Sequence, residues 1–177
     1  MIVRNQLNGT HKQLQAVAQE AKVKTREQRI DFSGGVVAKS VEPQLQMKTE
    51  RLTWMIEQEK LIGNTTMQIA RFENNKVTDR GRGDAAEIFL KTKIVNITKN
   101  GFIELLDPLV QIASNSITWN LNTENVKTNA PLKVVHREEN ITVSGNRGEL
   151  KIPQNTVYVR GDVRGIGQKG QSIQSNN

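Results

Sequence analysis

Residues 52–69 read LTWMIEQEKLIGNTTMQI, and residues 117–134 read ITWNLNTENVKTNAPLKV. Laid one on the other without a gap, they pair Leu52 with Ile117, Thr53 with Thr118, Trp54 with Trp119 and Ile56 with Leu121. Further on, Glu59 meets Glu124, Leu61 meets Val126, Asn64 meets Asn129, Met67 meets Leu132 and Ile69 meets Val134, always 65 positions apart. The likeness continues into AAEIFLKTKIVNITKNG (85–101) and RGELKIPQNTVYVRGDV (147–163), where Ala86, Ile88, Leu90, Val95 and Ile97 match Gly148, Leu150, Ile152, Val157 and Val159. There the offset is 62, so three residues are lost in between. A third copy stands 127 positions before the last, in EAKVKTREQRIDFSGGV (20–36). It aligns Ala21, Val23, Ile30, Phe32, Gly34 and Val36 with Gly148, Leu150, Val157, Val159, Gly161 and Val163. Such periodicity marks a supersecondary unit that buries little alone and must stack on its neighbours. IVRN at Ile2 reads like LIGN at Leu61, so the sequence starts partway through a copy.

Inside the unit the apolar residues alternate. Leu45-Gln-Met47, Val110-Gln-Ile112, Ile117-Thr-Trp119-Asn-Leu121, Leu132-Lys-Val134, Leu150-Lys-Ile152 and Val157-Tyr-Val159 all have period two, the mark of strands with one dry face. Polar and glycine-rich punctuation (SGG at Ser33, ENN at Glu73, DRGRGD at Asp79, KNG at Lys99, REEN at Arg137, SGNRG at Ser144) predicts turns between short strands. Pro43, Pro108, Pro131 and Pro153 fall at expected strand starts or turns, where a missing N–H is tolerated. HKQLQAVAQEAK (11–22) places Leu14, Val17, Ala18 and Ala21 at helical spacing, but its repeat partners are strand-like and the repeat predicts a strand. The expected organisation is one all-β domain over residues 1–165 and a patternless tail over 166–177.

Composition narrows the functional classes. Aromatic residues make up only 4% of the 177, which suits a thin, extended β structure. With 25 basic and 18 acidic residues the net charge is +7, which favours polyanionic partners. There is no cysteine, hence no disulfide, thiolate nucleophile or cysteine metal site. The first residues do not read as a signal peptide, and no apolar run approaches the ~18 residues of a membrane span. His11 and His136 sit in no metal-ligand spacing, and the scattered carboxylates occupy exposed positions of the pattern with no apolar setting to raise a pKa for acid–base work. No catalytic constellation, metal site or cofactor motif is expected. GIGQKG at Gly165 fits a dinucleotide fingerprint by letter but lacks a βαβ context. The two RGD triplets at Arg82 and Arg160, and the sequons at Asn8, Asn64, Asn96 and Asn140, are explained by turn chemistry and an Asn/Thr-rich composition. Basic residues alternate at Lys22, Lys24, Arg26 and Arg29 and cluster at Arg160, Arg164 and Lys169; either run reads as a solvated face or as a contact for phosphate groups. A nucleic-acid-binding β domain is disfavoured, because the strands lack the interleaved aromatic and basic positions that stack bases. The alternation alone fits a closed sandwich core and an open apolar trough equally well.

The succession of a small residue, alternating apolar positions, an apolar-x-Gly-x-Val turn, a Trp-bearing strand and a Pro-Leu-x-Val strand resembles the OstA repeat. That repeat belongs to the periplasmic lipopolysaccharide-transport family of LptA- and LptC-like proteins. Its positions here are Ala18, Ala21, Val23, Ile30, Phe32, Gly34 and Val36; then Ala85, Ala86, Ile88, Val95 and Ile97; then Gly148, Leu150, Val157, Val159, Gly161 and Val163. The resemblance covers roughly residues 2–165 and is nearest to the carboxy-terminal part of large cyanobacterial LptC-like proteins. Lys99 and Gly101 replace Gly34 and Val36 in the middle copy, so one turn is expected to differ, and the anchor usual in LptC-like proteins is not in this sequence. The resemblance implies an open β-jellyroll of two antiparallel sheets and a non-enzymatic bridge component that carries lipopolysaccharide across the periplasm. Acyl chains would lie in a trough lined by Leu45, Met47, Trp54, Ile56, Met67, Ile69, Val110, Ile112, Trp119, Leu121, Leu132, Val134, Leu150 and Ile152. Partners implied are lipopolysaccharide, other jellyroll proteins joined by edge-strand pairing, and further copies of this chain head to tail. The alternative is a β-repeat scaffold without a lipid ligand.

Overall fold

In a computed structural model the chain is all-β; residues 2–11, 14–167 and 172–174 are described, with side chains over 14–167. The strands are β1 (Ile2–His11), β2 (Leu14–Lys24), β3 (Arg29–Ser40), β4 (Leu45–Met55), β5 (Lys60–Gly63), β6 (Met67–Glu73), β7 (Lys76–Gly83), β8 (Ala85–Phe89) and β9 (Ile94–Leu106). They continue with β10 (Leu109–Asn120), β11 (Asn125–Thr128), β12 (Leu132–His136), β13 (Ile141–Gly145), β14 (Arg147–Lys151), β15 (Thr156–Arg160), β16 (Arg164–Ile166) and β17 (Ser172–Gln174). The segment whose spacing also fitted a helix is strand β2, as the repeat predicts. Ser172–Gln174, within the expected tail, pairs with β16, while the rest of the tail beyond Gly167 lies outside the described residues.

All pairings are antiparallel, and they divide at the middle of the long strands. Residues 36–40 of β3 pair with 45–49 of β4, whereas 29–33 pair with 51–55. β4 then pairs with β6 through its first half and with β5 through its second. β10 does the same, with β12 through its first half and β11 through its second. Two sheets result. Sheet I runs through the ends of β2 and β3 to β4, β6, β7, β9, β10, β12, β13, β16 and β17; sheet II runs through the other halves to β5, β8, β9, β10, β11, β14 and β15. They join along one crease, and among the described residues no strand pairing joins them along the opposite margin. This is the open jellyroll in backbone terms.

The crease explains the punctuation. SGG and KNG are not chain reversals: they lie inside β3 and β9, at register shifts where the strand passes from one sheet to the other. A bulge needs left-handed residues, and Gly34 and Gly35 supply them at φ 83° and 67°. Lys99 and Asn100 adopt φ 60° and 52° at the equivalent place, so the middle crease keeps the bend without its glycines. That outcome differs from the sequence expectation: the substituted turn retains its backbone, at a steric cost of about 1–2 kcal/mol for the non-glycine residue. Lys99→Gly is therefore expected to raise stability by up to about 1 kcal/mol in urea denaturation. Gly34→Ala should lower it, since a Cβ there would stand 2.8 Å from the Gln19 side chain.

DRGRGD is also not a turn. Asp79–Gly83 belong to β7, and Gly81 faces inward because a Cβ there would lie 3.2 Å from Ile97 Cδ1 and 3.4 Å from Trp119 Cζ3 of the opposite sheet. Glycine lets the two sheets approach at the bulkiest ring of the core.

At the free margin of sheet II the turns form a spine. Gln28, Glu59, Lys93, Glu124 and Asn155 all take the left-handed conformation. Their carbonyls accept from the next turn: Ile56 N–H to Gln28, Leu90 to Glu59, Leu121 to Lys93 and Ile152 to Glu124, each at 2.9–3.0 Å. The structural unit is thus one hairpin of each sheet, about half the 65-residue repeat read in the sequence.

Candidate functional site

The inward faces of the two sheets form one continuous apolar wall. Of the expected trough residues, Leu45, Met47, Trp54, Met67, Ile69, Val110, Ile112, Trp119, Leu121, Leu132, Val134 and Leu150 are buried there. Ile56 and Ile152 sit partly buried at the free margin and pack against the same cluster. Leu14, Phe32, Leu52, Leu61, Ile88, Ile97, Ile103, Leu105, Ile117 and Val126 complete the wall. They belong to strands of the same alternation, so period two could have assigned them. Asn120 and Lys133, which alternate with trough positions, lie on the outside.

The wall is packed. Between the sheets, around Ile112, Val126, Leu132, Val134, Leu150 and Val157, the remaining gaps are too narrow to admit a water molecule. Trp119 is fully buried, and its Nε1 has no hydrogen-bond partner among the described residues.

Among the described residues two ion pairs span the free margin, and sequence reasoning missed both. Glu42, in the β3–β4 turn of sheet I, accepts from Lys93 of the β8–β9 turn of sheet II at 2.7 Å. This pair is exposed, and pairs of that kind contribute about 0–1 kcal/mol. The second is built into the wall: Arg71 of β6 donates to Glu124 of the β10–β11 turn at 2.7 Å, to Asp79 of β7 at 3.2 Å and to Glu73 at 2.5 Å. Burial would weaken the Arg71 proton, but the Glu124 hydrogen bond and the charges of Asp79, Glu73 and Glu124 outweigh it, so its pKa lies above the usual value. Burial pushes the Asp79 carboxyl above the ordinary carboxylate range even though Arg71 and Thr78 pull it down. The expectation that every carboxylate is solvated fails at Asp79, which occupies an inward position of β7. Beside Glu42, a depression of 540 Å³ opens at the free margin of sheet I, lined by Lys39, Ser40, Val41, Leu45 and Phe72.

The basic runs read from the sequence separate in space. Lys24 and Arg29 flank the β2–β3 turn and pair with Glu27 and Asp31. Arg160 ends β15 in sheet II, Arg164 begins β16 in sheet I, and Lys169 lies outside the described residues. Among the described residues no group of three His, Cys, Asp or Glu side chains gathers as metal ligands would. No helix there is long and apolar enough to cross a membrane.

No family model and no curated protein matches the chain. A solved structure it is similar to is LptH, the LptA-homologous periplasmic component of the conserved lipopolysaccharide transport device from Pseudomonas aeruginosa. The likeness covers 92% of this chain and 95% of that one at 10% sequence identity, with a TM-score of 0.42.

Proposed function

We propose that this chain is a non-enzymatic segment of a periplasmic lipid bridge, which takes the acyl chains of lipopolysaccharide between its two sheets and leaves sugar and phosphate groups outside. The observation that carries this reading is the apolar wall, which runs from Leu14 to Leu150 between sheets that, among the described residues, strand pairing joins along one margin only. Apolar burial is worth about 25 cal/mol per Å² and has no direction, so a chain held that way can slide. Entry would require the free margin to part at Ile56, Leu90, Leu121 and Ile152. Edge strands β1 and β15 each pair on one side only among the described residues, which supports joining to neighbouring jellyrolls or further copies of this chain by strand addition.

One observation favours the second reading, a β-repeat scaffold without lipid: the wall residues are already 0–6% exposed. Photo-crosslinkers distinguish the two. Placed at Leu121 and Val134, inside, they should capture lipopolysaccharide; placed at Thr118 and Asn120, on the outer face of sheet II, they should not. Equal capture at both sets, or none at the inner set in a folded protein, would leave the scaffold.

A further inference from the structure

The outer face of sheet I carries a row of cations with almost no acid among them. Alternation turns Lys39, Lys48, Arg80, Arg82, Lys133 and Arg164 outward, and the acids that share these strands' outer face among the described residues are Glu104 and, at the crease end of β4, Glu50. Cross-strand register lines several of them up. Lys48 stands opposite Gln68, Gln68 opposite Arg82 and Arg82 opposite Phe102. The row continues through Ala113, Lys133 and Ser144 to Arg164. With strands about 4.8 Å apart, the cations in this row recur every ~10–14 Å across the sheet.

On sheet II acids are interleaved with the cations, and Arg29 pairs with Asp31, Lys60 with Glu87 and Lys127 with Glu149, while Lys22, Arg51, Arg147, Lys151 and Arg160 make no ion pair with described residues. Of the outward cations of sheet I, Arg80 has a carboxylate, Glu104 at 3.6 Å, and Lys48, Arg82, Lys133 and Arg164 make no ion pair with described residues. Lys48, Arg80, Arg82, Gln46, Gln68 and Phe102 border a groove of 340 Å³. Two of the large exposed apolar side chains, Val17 on β2 and Ile166 on β16, stand at opposite ends of this same face.

We propose that the outer face of sheet I is a docking surface for an anionic bilayer, with the cation row on lipid phosphates and Val17 and Ile166 against the interface. Charge complementarity carries it, because unpaired cations lose little on meeting phosphate whereas paired ones must first give up a partner. The apolar ends favour a lipid surface over a nucleic acid. Phe102, the aromatic in the cation row, is already covered by Arg82 at 4.9 Å, and Phe72 lies apart from the row in the depression at the free margin, so the row offers no platform for bases. This surface is separate from the interior wall and does not depend on it.

The test is flotation with vesicles of phosphatidylcholine alone or with one-third phosphatidylglycerol. The protein should bind only the anionic vesicles and be released at about 0.5 M salt, where screening acts within roughly 5 Å. The triple reversal Lys48→Glu/Arg82→Glu/Lys133→Glu should weaken binding at least ~20-fold, each cation near an anionic surface being worth roughly five-fold. A control of equal net charge on sheet II, Arg51→Glu/Lys127→Glu/Arg147→Glu, should change it far less. All six positions are exposed, and thermal melts establish that both variants fold. Equal losses in the two triples would reduce the effect to net charge and overturn the assignment. Absence of binding to anionic vesicles would overturn it too, as would a single-stranded oligonucleotide bound more tightly than the vesicles and lost in the first triple.

Discussion

Trp119→Ala is expected to lower the stability of the domain by about 3–5 kcal/mol, as truncation of a fully buried aromatic does. Against a total of about 5–15 kcal/mol for a domain this approaches unfolding. The ring has no exposure and bridges the sandwich: it lies on β10 of sheet II and reaches the bare backbone of Gly81 on β7 of sheet I, beside Ile97. Alanine would open a void where the two sheets are closest, and the strands on either side are fixed by ladders to Val95 and Val126, so collapse is restricted. Trp119→Phe should lose less than half as much. The indole N–H has no partner in the core, and a buried orphan donor costs about 1–3 kcal/mol, which phenylalanine removes along with the smaller ring. Urea denaturation followed by the fluorescence of the remaining Trp54 measures both. Equal losses for the two variants would mean that the indole nitrogen is satisfied, by a water or by a bound ligand in the space between the sheets.

How much of this was legible beforehand depends on the range of the interaction. Strand positions and their inward faces follow from period two, because a half-buried strand writes its environment into every second residue; Leu45/Met47 and Leu132/Val134 needed nothing more. The repeat was legible at twice its true length. Successive units cross the crease differently: β3, β4, β9 and β10 pass over it as unbroken strands, while β5/β6, β7/β8, β11/β12 and β13/β14 are interrupted there. Sequence likeness is therefore strongest between every second unit, and 65 residues stands out over the shorter spacing of Ile56, Leu90, Leu121 and Ile152. Crease glycines resembled turns because both demand a left-handed backbone, and only strand pairing separates a bulge from a reversal. The ion pairs across the free margin were not legible, since Arg71 and Glu124 stand 53 residues apart with no local pattern joining them. One trace of them existed. The fall in offset from 65 to 62 marks three extra residues between Met67 and Gly83 relative to Leu132 and Gly145, and they lengthen the β6–β7 hairpin that carries Arg71 and Asp79.

That longer hairpin yields the last expected result: Arg71→Ala should cost about 3 kcal/mol at neutral pH, the size of loss found when one partner of a buried pair is removed. The Arg71 side chain is only 12% exposed and its guanidinium serves three carboxylates from one planar fork, so Arg71→Lys, a point charge, should recover little. The loss arises mainly at Asp79, whose side chain is 8% exposed and would be left charged without a counter-ion. Its pKa is already raised by burial in the intact protein, and removing Arg71 raises it further. A carboxyl that holds its proton more tightly in the folded than in the unfolded state is most stabilising below its unfolded value, and that stability disappears as pH climbs through the folded one. The penalty of Arg71→Ala should therefore be large at neutral pH and shrink as the solution is acidified toward the ordinary carboxylate value of 3.8. Adding Asp79→Asn should return most of the stability at neutral pH and abolish the pH dependence. It should not restore the tie to Glu124, so the margin stays loosened and hydrogen exchange at the Leu90 and Leu121 amides remains faster than in the native protein. A penalty that is the same at acid and neutral pH, and that Asp79→Asn does not relieve, would place the stabilisation in the exposed Glu73 and Glu124 contacts instead. A penalty relieved by Asp79→Asn with unchanged exchange at Leu90 and Leu121 would show that Arg71 neutralises β7 without holding the two sheets together.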